Sequence, residues 1–401
     1  MKATAESSLD AQVASAPPGN YREVASYFLR LGLLAFGGAA GHIAMMRREL
    51  VDRRRWLSQE DFLDLFGIMN LIPGPSSTET VIALGYLRAG WPALILAGGL
   101  FILPAMLMIL GLSWAYVRYG AMPAAQWILY GINPIVIAII ADALWNLGRA
   151  AMKSIWLAML AAAAIVLYFR GISIIAILFG AIALTGIVAV WSIRPQQDAA
   201  TILPIPMSKW AAGARGAAAV AVAAFPFTMA RLFLTFLKIG ALCYGSGYVL
   251  LAFLRADFVA HLHWLTDKQL LDAIAMGQIT PGPVFASATF IGYILGGLKG
   301  GLLATFGMFL PSFAYVAIVF PLIPKLKGWP HARILLDGIN ATTLGLMGAV
   351  SWQLARGAIV DVFTALEALV AFAILLRFKI NSAWLIVAGI IVGVGYKLIV
   401  H

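Results

Sequence analysis

Charged side chains are scarce in this chain. Only 11% of its 401 residues are Asp, Glu, Lys or Arg, about half the share of a soluble domain, which excludes an ordinary water-soluble globule. There is one cysteine, Cys243, so an internal disulfide and any multi-cysteine metal site are excluded. The sequence has no His-Glu-x-x-His, no Gly-x-Ser-x-Gly and no Walker-type phosphate loop. Those absences weigh against an intramembrane enzyme and against a self-contained ATP-driven pump. Residues 1–20 have no apolar core, so they are not a cleaved signal peptide and read as a disordered tail.

What is present is apolar. Hydrophobic residues make up 62% of the chain and the mean hydropathy is +0.92, the composition of a polytopic membrane protein. The net charge of +11 reads first as cytoplasmic loops rich in Lys and Arg, and second as attraction for an anionic substrate. The expected surroundings are a lipid bilayer, in the cell's inner (plasma) membrane with many passes. Neither a cofactor nor a nucleic acid is implied, and a homodimer is compatible with the sequence.

Two short stretches organise the rest. One is Asn70-Leu71-Ile72-Pro73-Gly74-Pro75-Ser76-Ser77-Thr78-Glu79; the other is Gln278-Ile279-Thr280-Pro281-Gly282-Pro283. Proline removes an N–H and clashes with the preceding turn, and glycine is conformationally loose, so each Pro-Gly-Pro ends one helix. Its second proline suits the first turn of another. In a bilayer such a break is tolerated only in protein or beside a wet cavity. One break in each half of the chain points to a transporter's substrate site.

The chain also matches itself when slid by about half its length. Gly32 falls on Gly240 and Gly37 on Gly245; Trp56-Leu57-Ser58 falls on Trp264-Leu265-Thr266, and Asp64 on Asp272. After a one-residue gap, Gly85-Tyr86 meets Gly292-Tyr293, Leu103-Pro104 meets Leu310-Pro311, and Gly131-Ile132-Asn133 meets Gly338-Ile339-Asn340. The expected organisation is a tail 1–20, a first repeat 21–193, a linker 194–228 and a second repeat 229–401.

Spans are expected near 24–46, 91–117, 126–147, 152–169 and 172–192, and near 230–254, 300–323, 334–354, 358–376 and 381–399. The segments 59–88 and 267–297 are expected as two short helical pieces each, forming re-entrant hairpins around Pro-Gly-Pro. The fold class is therefore an all-α polytopic membrane protein of two homologous inverted repeats, each with about five transmembrane helices and one hairpin. Charge supports inversion. Arg47, Arg48, Arg53, Arg54 and Arg55 follow the first span, against Arg255 and Lys268 in its copy, and the bias alternates through the later loops. The Ala-rich stretch 211–230 leaves an extra crossing open.

These motifs, with Phe36-Gly37-Gly38 and Gly245-Ser246-Gly247-Tyr248, resemble the chromate ion transporter family in its long, two-domain form. The resemblance implies export of chromate from the cytoplasm, driven by the membrane potential or a proton gradient, and chromate resistance. Sulfate, the isosteric dianion, is the alternative substrate. The chain departs from the family's pattern at Ala39, where proline is common, at Ser246, where glycine is common, and at Glu79, where an amide is common.

A dianion held at mid-membrane needs donors and positive potential. Helix N-termini after Pro75 and Pro283 supply free N–H groups and a partial positive charge. Ser76, Ser77 and Thr78 add hydroxyls at the first break, and Asn70, Gln278 and Thr280 lie on the approach side. With Pro73, Gly74, Pro281 and Gly282 these are the candidate substrate residues; the alternative is a hairpin that merely turns. Arg30 and Lys238 align, and would either neutralise the anion or snorkel. Asp64 and Asp272 would pair with those cations or cap. Glu79 and Asp142 are candidates for coupling protons; Asp142 could equally pack against Arg149. Asn133 and Asn340 would line the path or bond between helices. Gly37, Gly38, Gly245 and Gly247 would permit close helix contact. His42, His261 and His263 are expected near membrane faces.

Overall fold

The computed structural model describes residues 20–192 except 37 and 71, 226–320 except 245, 246 and 248, and 330–400 except 379. Among these residues the chain is helical and carries no strand. The tail, most of the linker with 211–225, and Gly37 and Gly245 lie outside the described residues.

The first half holds α1 (Tyr21–Leu34), α2 (Gly38–Met46), α3 (Gln59–Met69), α4 (Ser76–Tyr119), α5 (Pro123–Ala151), α6 (Ile155–Phe169) and α7 (Ile174–Ser192). The second holds α8 (Met229–Leu242), α9 (Leu250–Leu254), α10 (Asp267–Ile279), α11 (Ser287–Val319), α12 (Pro330–Ala358), α13 (Val362–Phe378) and α14 (Ser382–Val400). The local chemistry repeats with the sequence. Ser58 caps α3 by accepting Asp61 N–H, and Thr266 caps α10 through a capping box with Gln269. A π-helical turn follows α2 at Arg47–Arg53 and follows α9 at Arg255–His261.

The first span expected in each half, 24–46 and 230–254, is instead a pair of shorter helices. Ala35 (φ −83°, ψ 94°) and Cys243 (φ −72°, ψ 106°) leave the helical region, and the chain restarts beyond them. Hydropathy runs on over both positions, and the signal for the interruption is the glycines just beyond, Gly37-Gly38 and Gly245-Ser246-Gly247.

Helix α4 is two arms. Ala89 (φ −151°, ψ 21°) and Gly90 (φ 74°, ψ −162°) reverse the chain, and Gly296 (φ −141°, ψ 20°) and Gly297 (φ 63°, ψ −157°) do the same in α11. The arms then lie side by side. A Cβ on Gly85 would sit 2.5 Å from the Ala97 methyl, although those residues are about 18 Å apart along a straight helix. Thr289 and Thr305 hydroxyls meet at 2.7 Å across the α11 arms. The long arms, 91–119 and 298–319, run antiparallel to each other. Gly98 packs on Phe313 at one level, and Gly301 on Leu110 at another.

The remaining helices interlock the halves. Gly131 of α5 packs directly on Gly389 and Gly393 of α14, and its counterpart Gly338 of α12 packs on Thr185 of α7. Gly345 of α12 meets the Ala161 backbone of α6. Small residues let backbones approach, which is how helices associate where no hydrophobic driving force separates them from lipid. Among the described residues, five helices are long and apolar enough to cross a membrane: Ser76–Tyr119, Pro123–Ala151, Val284–Val319, Ile334–Ala358 and Ser382–Val400. Ile155–Phe169 and Ile174–Val188 are apolar and shorter.

Candidate functional site

Both Pro-Gly-Pro stretches interrupt helices, and the glycine of each takes a left-handed backbone, Gly74 at φ 135° and Gly282 at φ 93°. Each glycine then reaches across to the other half. Gly74 N–H donates to the Cys243 carbonyl at 2.7 Å, and Gly282 N–H donates to the Ala35 carbonyl at 2.9 Å. Ala35 and Cys243 are the two extended residues that end α1 and α8. The exchange is reciprocal, as it is across a two-fold axis.

The surroundings of the two breaks differ. At the first, the Pro75 carbonyl accepts Thr78 N–H at 2.7 Å and Glu79 N–H at 3.1 Å, and no side chain caps α4. Thr78 and Glu79 are fully buried, and Thr78 Oγ1 and both Glu79 carboxyl oxygens have no hydrogen-bond partner. Ser312, on the long arm of α11, is equally buried, and its hydroxyl is the polar side chain within reach of Glu79. Glu79 and Ser312 both face Gly74, since a Cβ there would collide with Glu79 Oε1 and lie 2.8 Å from Ser312 Oγ. Ser77 is tied instead to His42. The imidazole lies 3.3 Å from the Ser77 hydroxyl through Nδ1 and 3.2 Å from the Ala35 carbonyl through Nε2. A carbonyl only accepts, so Nε2 carries the proton and Ser77 donates to Nδ1. His42 is thus fully buried between the two breaks, not at a membrane face as the sequence suggested; its place comes from long-range packing that no local pattern records.

The second break is apolar. Gly282 packs on the Ala105 methyl, with Phe285 and Ala286 buried beside it. Thr280 turns its hydroxyl back to the Met276 carbonyl at 3.1 Å. Gln278 is buried with its amide nitrogen unpartnered, and Asn70, the residue after α3, is half-buried. Gly247 sits where a Cβ would rest 3.6 Å from Phe285, and Gly38 (φ 68°) opens α2.

The aligned cations do not gather at the breaks. Lys238 holds Asp257 at 2.6 Å, and Arg30 is exposed on α1. Asp64 is exposed on α3, and its copy Asp272 is fully buried. Asp272 accepts Tyr116 Oη–H at 2.8 Å and Asn133 Nδ2–H at 3.3 Å, so Asn133 bonds between helices. Asp142 is half-buried on α5.

Sequence reasoning also missed an ionic knot at the foot of the first half. Glu23 accepts from Arg88 at 2.7 Å, from Arg54 at 3.3 Å and from the Trp56 indole at 2.8 Å. Arg88 lies over the Trp56 ring. Glu49 takes Arg54 at 2.9 Å and Arg53 at 2.8 Å, and the Arg54 hydrogen bond holds its carboxyl below the usual range. Part of the arginine cluster read as an orientation signal is therefore structural. In the second half Arg255 pairs with Asp267 at 2.8 Å and reaches Tyr168 of α6.

Apolar crossing helices, two interrupted helices and buried polar groups at the interruption define a multi-pass membrane protein. The chain belongs to the chromate transporter family, whose sequence model matches it twice, over residues 22–187 and 230–394. It is 35% identical over 395 residues to the chromate transport protein of Cupriavidus metallidurans, covering 97% of this chain and 96% of that one. It is 31% identical over 364 residues to the chromate transport protein of Pseudomonas aeruginosa, covering 85% and 82%. No solved structure matches the chain.

Proposed function

We propose that this protein is a secondary active transporter that exports chromate from the cytoplasm by alternating access across the inner membrane, and so confers chromate resistance. The two relatives above carry the name chromate transport protein, and the doubled family match supports two repeats, 21–193 and 229–401, joined by 194–228. Transport rather than catalysis fits a chain without a catalytic motif.

In this reading each Pro-Gly-Pro is the tip of a re-entrant hairpin, and the hairpins come from opposite membrane faces. The observation that carries it is where each hairpin starts and ends. Trp56, before α3, and Arg88, at the end of the first short arm, share the Glu23 carboxyl. Asp272 on α10 and Phe290 on the second short arm both meet Tyr116. Since α3 is 11 residues, about 16 Å, it is too short to cross alone. The antiparallel long arms put the two hairpins at opposite ends, as inverted repeats require. The first tip meets the α11 arm at Ser312 and the second meets the α4 arm at Ala105.

The substrate would lie against the uncapped N-terminus of α4, with the Ser76 and Ser77 N–H groups, Thr78 and Ser312 as donors. Gln278 and Thr280 would face it from the other tip. Glu79 stands at this place and takes precedence over Asp142 as the proton-coupling residue. Arg30 and Lys238 are reserved for orientation and packing. Sulfate has the same charge and shape and would compete.

The test is direct flux. Proteoliposomes of the purified protein, under imposed voltage and pH gradients, are expected to move labelled chromate, with sulfate reducing the rate. A protein that moves neither anion under any gradient ends the reading.

A further inference from the structure

We propose that the Glu79 carboxyl occupies the oxyanion's own place at the first break, so that each doubly charged anion binds only together with one proton taken up by Glu79. The inference rests on the reading above and fixes how substrate and proton are linked within it.

Three observations carry the proposal. First, Glu79 is on the opening turn of α4 but folds back over Gly74, so its carboxyl lies at the tip itself and not along the helix. Second, it is poorly satisfied. Both oxygens are buried without a well-formed hydrogen bond, the Ser312 hydroxyl is the polar side chain in reach, and Thr78 Oγ1 beside the same break has no partner. Among the described residues, the titratable groups that feel Glu79 are Cys243 and Tyr244 after α8 and Tyr315 on α11, and none of these is a cation. Tyr315 already donates to the Ala241 carbonyl, and His42, one residue away through Ser77, is held by Ala35. A cluster of unpartnered polar groups around an uncapped helix start is a site waiting for a ligand. Third, the second break has no acid: Val284-Phe285-Ala286-Ser287 follow its Pro-Gly-Pro, and Gly282 faces the Ala105 methyl where Gly74 faces Ser312.

The chemistry follows from charge. An ionised Glu79 beside a dianion would bring three negative charges together away from water, and like charges so placed disfavour each other's charged form. When Glu79 takes up a proton on Oε1, the repulsion is removed and the new O–H becomes a donor to an anion oxygen, alongside Ser312 and the α4 N–H groups. When the anion leaves, the carboxyl loses that proton. The acid is present at one break only, so the linkage is one proton for each anion.

Sulfate is the probe, because unlike chromate it stays a dianion across the range used. Its binding to the purified full-length protein is measured over about pH 5–9, above the ordinary carboxylate range. The expected wild-type affinity falls about tenfold per pH unit above the carboxyl's own titration point, and Glu79→Gln binds with no such slope. Proton uptake in weak buffer, about one per sulfate bound, is the second readout and needs no variant. A flat wild-type profile without proton uptake overturns the inference alone, as does an unchanged slope in Glu79→Gln. Failure of the wild type to bind either sulfate or chromate at any pH overturns the inference and the transport reading together.

Discussion

Gly74 and Gly282 are where the backbone demands a particular residue. Their positive φ values cost an alanine about 1–2 kcal/mol before any contact is counted. The contacts then separate them. At Gly74 a methyl strikes the Glu79 carboxyl, and at Gly282 it lies 3.0 Å from the Ala105 methyl. Gly74→Ala is expected to reduce chromate flux at least about tenfold, with Gly282→Ala milder, while both still insert and elute as the wild type. Normal flux in both would remove the tips from the pathway. The two glycines could be read from sequence because proline and glycine declare themselves locally. Ser312 and His42 could not, since each reaches its partner only through packing between distant segments. The paired cations misled for a related reason. Alignment places Arg30 and Lys238 at one position of the repeat, but says nothing of neighbours. Lys238 takes Asp257, while the equivalent acid, Glu49, turns to Arg53 and Arg54.

At the level of helices, the boundaries that turn chemistry governs were legible. The expected breaks between 88 and 91 and near 297 coincide with Ala89-Gly90 and Gly296-Gly297. The interruptions at Ala35 and Cys243 had one local signal, the glycines just beyond them, which the apolar runs on either side outweighed in the reading of one long span. The tether of α10 was hidden. Asp272, Tyr116 and Asn133 come from three helices, two of them in the other half. Removing one donor from a buried carboxylate leaves it under-satisfied, so Tyr116→Phe is expected to destabilise the protein by about 1.5–3 kcal/mol. A lowered melting temperature in detergent would show it. An unchanged melting temperature would mean that Asp272 finds another donor or carries no charge.

For the whole molecule, orientation is the decisive quantity. If the halves are inverted, the loops 47–58 and 255–268 face opposite sides. Cysteine labels placed one at a time in each loop, in a Cys243→Ser background, are expected to react from opposite faces of sealed vesicles. Labels on the same face would refute inversion while leaving the family membership untouched. The alternating bias of Lys and Arg is the sequence's argument for inversion, and the self-match anticipated the repeated backbone geometry. Neither could reveal how far the halves interpenetrate. The amide of each tip finds its acceptor at the end of a helix belonging to the other half. A half severed from its sibling would therefore be chemically incomplete, with a donor and a carbonyl both seeking mates. A twin molecule, turned head to tail, offers the same missing pair. A single repeat on its own would need such a couple to close its own backbone.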